Sequence, residues 1–151
     1  MKDNISIYFD NPLPFELGKI NQLSGITGLY FIFSKKVKIQ YPYKESRLLY
    51  IGMSEKKTNS IRNRLSDHFD GKSKNIGLSN YRKSDSLLFT YLNYEIIKNN
   101  WNLRIEDLES YFILDFVKYF GVYPICNNKT GFEVLKNELL FNINIDWNYF
   151  N

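Results

Sequence analysis

The chain has 151 residues, 44% of them hydrophobic and 17% aromatic, enough to build one compact core. A formal charge of +4 and a sequence pI of about 9.0 admit a nucleic-acid partner without requiring one. The one cysteine, Cys126, rules out an intrachain disulfide and the usual Cys/His metal spacings, no apolar run approaches the ~18 residues of a membrane span, and Met1-Lys2-Asp3-Asn4 does not open like a signal peptide, so a soluble cytoplasmic protein with no membrane partner is expected.

Taken in chain order, residues 1 to 24 read as an irregular lead-in. Ile5, Ile7 and Phe9 alternate as in a short edge strand, Asn11-Pro12-Leu13-Pro14 breaks regular structure, and Phe15, Leu17 and Ile20 form a short helix or packing arm. Gly28 to Phe33 is aromatic and β-branched and reads as a strand. A basic, turn-rich stretch comes next, and residues 47 to 53 form the second strand, antiparallel to the first. Alternation along these strands sets Tyr30 opposite to Leu29 and Phe31, and Tyr50 opposite to Leu49 and Ile51, so both tyrosines share one face.

Residues 60 to 69 read as a helix capped by Asn59 or Ser60, with Ile61, Leu65 and Phe69 as its buried stripe. Arg64 and His68 lie four apart beside that stripe, at the border of core and solvent, whereas Arg62 turns toward water. Residues 70 to 86 read as a basic loop and Leu87 to Leu92 as a third strand whose partner is either tyrosine strand. Ile105 to Phe120 is the longest helix, with Ile105, Leu108, Phe112, Phe116 and Phe120 on its core face and Gly121 as its stop. Residues 132 to 151 read as a short helix around Val134 to Phe141 and then a strand-like end. Neither a repeat nor a linker divides the chain, so 1–151 is expected to be one domain with its core at about 25–130.

Several residues combine position with chemistry. Glu109 falls inside the apolar arc of the long helix, where a carboxylate is costly unless it is paired or binds a metal. It is either one half of a structural ion pair or a divalent-metal ligand at the base of a cleft. Arg64 and His68 are either a solvated face or a phosphate fork beside a group that shuttles protons near neutral pH. Tyr30 and Tyr50 are ordinary strand residues unless a nearby cation or metal site lowers the phenol pKa. Asn127, after Pro124-Ile125-Cys126, suits a turn, and Cys126 a small buried filler. Lys35, Lys36, Lys38, Arg62, Lys72 and Lys74 belong to solvated segments that can also supply non-specific phosphate contacts.

In order, Gly28-Leu29-Tyr30, Tyr50-Ile51-Gly52, Arg64 with His68 four residues on, Glu109 within Leu108-Glu109-Ser110-Tyr111, and Pro124-Ile125-Cys126-Asn127 resemble the GIY-YIG nuclease family over roughly residues 25 to 130. The first motif carries leucine for isoleucine, and the second is literal. The resemblance implies an α+β fold, a small three-stranded antiparallel sheet flanked by helices. It implies cleavage of a phosphodiester with one divalent metal, Mg²⁺ or Mn²⁺, held by Glu109. It also implies that Tyr30, Tyr50, Arg64, His68, Glu109 and Asn127 are the catalytic set. In the expected mechanism Arg64 clamps the phosphate, a tyrosine handles the attacking water with His68 as relay, and Asn127 positions Glu109 or a water beside the ion. Lys35 to Ser46 and Glu55 to Asn59 stand as insertions, a layout similar to the family's stand-alone restriction enzymes more than its repair or homing members.

The expected substrate is DNA, with RNA also open, and both a monomer and a homodimer fit the sequence. The rival readings are a non-cleaving nucleic-acid-binding module on the same fold and a partner-binding protein in which Glu109 pairs with Arg64.

Overall fold

The structure is a computed structural model that describes residues 2–128 and 139–151. In chain order the elements are β1 (Asp3–Ile7), β2 (Leu13–Pro14), α1 (Leu17–Ile20), β3 (Gly28–Ser34), β4 (Ile39–Gln40), β5 (Glu45–Ser46), β6 (Leu48–Ser54), α2 (Ile61–Asp70), α3 (Ile76–Ser84), β7 (Leu87–Asn93), α4 (Tyr94–Ile97), α5 (Ile105–Phe120) and β8 (Phe141–Ile145). The helix expected at Val134 to Phe141 lies largely outside the described residues. Phe141 itself opens β8.

The main sheet is antiparallel and has four strands in the order β2-β7-β3-β6, not the three expected. The added strand is Leu13–Pro14, a segment read from its prolines as a break. It pairs with Phe89 and Leu88 at the edge of the sheet, where a residue without an N–H is tolerated. The Tyr30 strand β3 is central and pairs with both β6 and β7. All seven residues of β3 are buried because both faces of the sheet are covered.

Alternation along β3 divides the core. Leu29, Phe31 and Phe33 join the apolar face of α5, Trp147 and Phe150 on one side. Tyr30 and Ile32 join Ile61 and Leu65 of α2 and Leu78 of α3 on the other. The long helix has the expected bounds, and its five core-face positions are buried. Gly121, in the left-handed region at φ 95°, ends it.

Three further segments differ from expectation. Residues 70 to 86 contain α3, whose Ser, Asn, Gly and Lys content masks a helix started by Asn75, the side chain of which accepts from Leu78 N at 3.1 Å. The Ile5–Ile7 strand does not edge the main sheet. It pairs in parallel with β8, Ile5 opposite Ile143, in a separate two-stranded sheet. Lys35 to Ser46 folds into a small β4-β5 hairpin. Arg47 ties the segment after β8 to this region through guanidinium bonds to backbone oxygens of Ser34, Lys35, Tyr149 and Asn151.

Candidate active site

Two glycines shape the floor of the site. Gly28 has φ 139°, and a Cβ there would lie 1.9 Å from the Leu92 carbonyl oxygen, so β7 can approach β3 only because that position is bare. Gly52 pairs with Tyr30 across the strands. The Tyr30 ring lies over it, and a Cβ on Gly52 would meet Tyr30 Cζ at 2.3 Å. Each glycine is thus the space into which a neighbouring strand or tyrosine fits.

The placement of Tyr50 depends on a β-bulge. The β3-β6 register runs Ile32 opposite Tyr50 and then Phe33 opposite Leu48, so Leu49 is the extra residue. Leu49 and Tyr50 therefore both face the α2 side, whereas Leu48 and Ile51 face α5. This corrects the expected opposition of Tyr50 and Leu49: a bulge inserts one residue into the strand and re-aims the side chains beyond it. The tyrosine rings end with centroids 6.0 Å apart. Tyr30 is wholly buried, while Tyr50 is half-buried and reaches a cavity.

Helix α2 closes this face. Its Ile61 and Leu65 are buried, Phe69 is half-buried, and His68 is drawn into the core more fully than a border position implies. His68 Nε2 and the Tyr30 hydroxyl are hydrogen-bonded at 3.0 Å, and His68 Nδ1 and Ser73 Oγ at 2.8 Å. The Tyr50 ring stands edge-on to the imidazole with centroids 4.9 Å apart. Burial, then the positive Arg64 nearby, lowers the His68 pKa to about 4. His68 is therefore neutral in the physiological range.

Burial, reinforced by Tyr50, pushes the Tyr30 phenol well above its usual value against the opposing pull of Arg64. Burial and then the Glu109 carboxylate raise Tyr50. Both phenols are protonated at neutral pH. Burial pulls the Arg64 guanidinium down, but Tyr30, Tyr50 and Glu109 outweigh it and hold it above its usual value.

Glu109 comes from α5, which packs over β6. It is 6% exposed and acts electrostatically on both Tyr50 and Arg64. Among the described residues no group of three or more His, Cys, Asp or Glu side chains gathers to hold a metal. A single carboxylate that acts on an arginine fits Mg²⁺ or Mn²⁺, hard ions that take one or two protein oxygens and fill the rest with substrate oxygens and water. It does not fit the N/S ligand sets of zinc.

Asn127 bonds the backbone of β6. Its Oδ1 accepts from Ile51 N at 3.0 Å and its Nδ2 donates to Ile51 O at 3.0 Å. Cys126 N donates to Leu49 O at 2.9 Å. The Pro124–Asn127 segment therefore covers the outer edge of β6 and clamps the residues on either side of Tyr50. Cys126 is buried, and its thiol is pushed up to about 12 by burial, which makes it inert filler.

Tyr50, Arg64 and His68 line a cavity of about 280 Å³ together with Asp67, Ser73, Asn75 and Asn128. The last four were not among the expected site residues. Ser73 and Asn75 lie in the segment read as loop, and the only available signal was an Asn three residues before a leucine, a helix start. Asn75 Nδ2 also donates to Cys126 O at 2.9 Å, joining that turn to the β6 clamp.

The expected phosphate contacts divide. Lys72 and Lys74 flank in sequence Ser73, which lines this cavity, and Lys72 lies 3.6 Å from Asp70. Lys35 borders a different groove, with Arg82 and Asp85. The backbone N–H groups of Lys36 and Val37 donate to Asp85, which holds Lys38's neighbours at that end of the sheet. Arg62 bonds Asn21 and Asn63 at the surface.

Because His68 is held neutral, charging it opposes folding. Its folded pKa lies below the unfolded value of about 6.5, so the folded state binds fewer protons between pH 6.5 and 4. Stability from this group is complete above pH 6.5 and is lost as pH falls toward 4. Urea midpoints measured over that window are expected to fall more steeply for the wild type than for His68→Asn. Parallel curves would refute the assignment.

The family model of the GIY-YIG catalytic domain matches residues 20–148 of this chain. No curated protein and no solved structure matches it.

Proposed function

We infer the chemistry from one premise: the chain belongs to the GIY-YIG nuclease family and is an endonuclease, a phosphodiester hydrolase acting on nucleic acid. The finer reading is Mg²⁺- or Mn²⁺-dependent in-line hydrolysis of a DNA strand. It rests on one observation above the rest: Tyr50, Arg64 and His68 open onto the same cavity while Glu109 acts on two of them.

Glu109 would hold the ion. When bound, the ion supplies stabilisation of the charge that develops on the phosphate and the leaving oxygen. The Arg64 guanidinium fork grips the scissile phosphate. Tyr50, the tyrosine that reaches the cavity, orients the attacking water through its protonated hydroxyl. Neutral His68, edge-on to Tyr50 and bonded through its two ring nitrogens to Tyr30 and Ser73, orients the tyrosines. With its pKa lowered to about 4 it is too weak a base to keep a proton near neutral pH, so the proton that the water releases passes through the Tyr50 hydroxyl to solvent. Asn127 acts through the Ile51 backbone as a positioning residue for Tyr50. The insertions at Lys35 to Ser46 and Glu55 to Asn59 favour a restriction-like role over a repair or mobile-element one.

Two measurements test this. Supercoiled plasmid is expected to be nicked or linearised with MgCl₂ and left intact with EDTA, and cutting that persists in EDTA would refute metal dependence. Tyr50→Phe is expected to slow cutting by ~10²-fold or more. Tyr30→Phe should cost less, because its hydroxyl is enclosed against His68. The reverse order would reassign the water to Tyr30.

A further inference from the structure

Arg64 borders two depressions. One is the cavity shared with Tyr50, His68 and Ser73. The other, about 170 Å³, is lined by Met53, Ser54, Glu55, Lys56, Asn59 and Arg64. The first lies toward the C-terminal end of α2 and the second beside its start.

The wall of the second depression is a built turn. Ser54 Oγ donates to Asn59 O at 2.6 Å, and Asn59 N donates to Lys56 O at 3.0 Å. Lys56 and Asn59 form an antiparallel bridge. Asn63 Nδ2, from the first turn of α2, donates to Thr58 O at 3.0 Å and pins the turn to the helix. All of these bonds use backbone oxygens of the turn, which leaves the side chains of Lys56 and Lys57 exposed on a fixed frame. At the opposite end of α2, Lys72 and Lys74 flank Ser73, whose hydroxyl bonds His68. Ten helical residues span about 15 Å, the length of roughly four base pairs along a duplex axis at ~3.4 Å each. Positive charge therefore stands at both ends of α2 and, through Arg64, in the middle.

Resting on the nuclease reading, we propose that one strand of a DNA duplex lies along α2, its scissile phosphate on Arg64 and a neighbouring backbone phosphate on Lys56 of the Glu55–Asn59 turn. The Lys72–Lys74 turn holds the strand on the other side. Glu55 and Asp67 also face these depressions. Their charge repels the backbone and confines it to the line through the cations. The contact fixes position and reads no base.

The test is fluorescence anisotropy of a fluorescein-labelled DNA duplex with the full chain, without divalent ions, over a KCl series. Lys56→Ala is expected to weaken binding several-fold at low salt. It should also reduce the slope of log K against log[salt] by about 1, the loss of one phosphate contact. Lys56→Glu should weaken binding further, and Lys118→Ala, in the last turn of α5, should change neither quantity. Wild-type slope and affinity in both Lys56 variants, or wild-type binding that does not respond to salt, would overturn the proposal. Normal Mg²⁺-dependent cutting with unaltered slopes removes the footprint alone. Absent cutting with an altered slope removes the nuclease chemistry and upholds the footprint.

Discussion

Glu109→Gln is expected to lower Mg²⁺-dependent plasmid cleavage by ~10³-fold or more, with the fold retained. The substitution keeps the shape of a side chain that is 6% exposed and removes only the charge that would hold the ion and that raises the Tyr50 phenol. Arg64→Ala is expected to cost ~10²–10³-fold, in the range of a lost transition-state donor. Arg64→Lys should recover only part of this, since a point charge does not reproduce the two-pronged grip of guanidinium. The two groups flank the same phosphate in the proposed reaction, so the double variant should be little slower than Glu109→Gln alone. Initial nicking rates on supercoiled plasmid, with near-ultraviolet circular dichroism as a control for folding, measure these effects. Undiminished cutting by Glu109→Gln would remove Glu109 from the chemistry.

The second large effect is on stability. Gly28→Ala places a Cβ 1.9 Å from the Leu92 carbonyl oxygen and 2.9 Å from Tyr94 N, at a φ of 139° that L side chains rarely adopt. Both obstacles are backbone, so β7 must move. A cost above ~3 kcal/mol is expected, a large share of a small domain's stability. Gly52→Ala meets a side chain instead, the Tyr30 ring, at 2.3 Å from Cζ and 2.4 Å from the hydroxyl. That ring is wholly buried and bonded to His68, so it cannot swing aside, and overpacking of ~1–3 kcal/mol is expected. Urea denaturation separates the causes. In a Tyr30→Ala background Gly52→Ala should cost little, because its obstacle is gone. An equal cost in both backgrounds would show that the glycine serves something other than the tyrosine.

The parts legible in the sequence were those carried by local period and local chemistry. Helix α5 could be read to both ends because its apolar residues recur over sixteen positions and Gly121 stops it. Arg64 and His68 could be placed on one face of α2 by spacing alone. What escaped depended on partners far along the chain. The bulge at Leu49 is a property of register between β3 and β6, and no alternation within β6 reveals it. Asn127 looked like a turn residue, and its bonds to Ile51 exist only because the chain returns to the edge of β6. Strand β2 was hidden by its proline, which the edge position excuses. Helix α3 buries only Leu78, too little to imprint a helical period on a polar segment.

The parallel pairing of β1 with β8 also orders events in time. Asp3 to Ile7 leave the ribosome long before Phe141 to Ile145, the strand they pair with. At ~5–20 residues per second that wait is several seconds to half a minute. Arg47 waits similarly for the oxygens of Tyr149 and Asn151. During synthesis the Tyr30 strand thus stands without Phe150, which packs on its Phe31 and Phe33 from the segment after β8. A nuclease made in this way acquires its finished fold only once β8 has emerged.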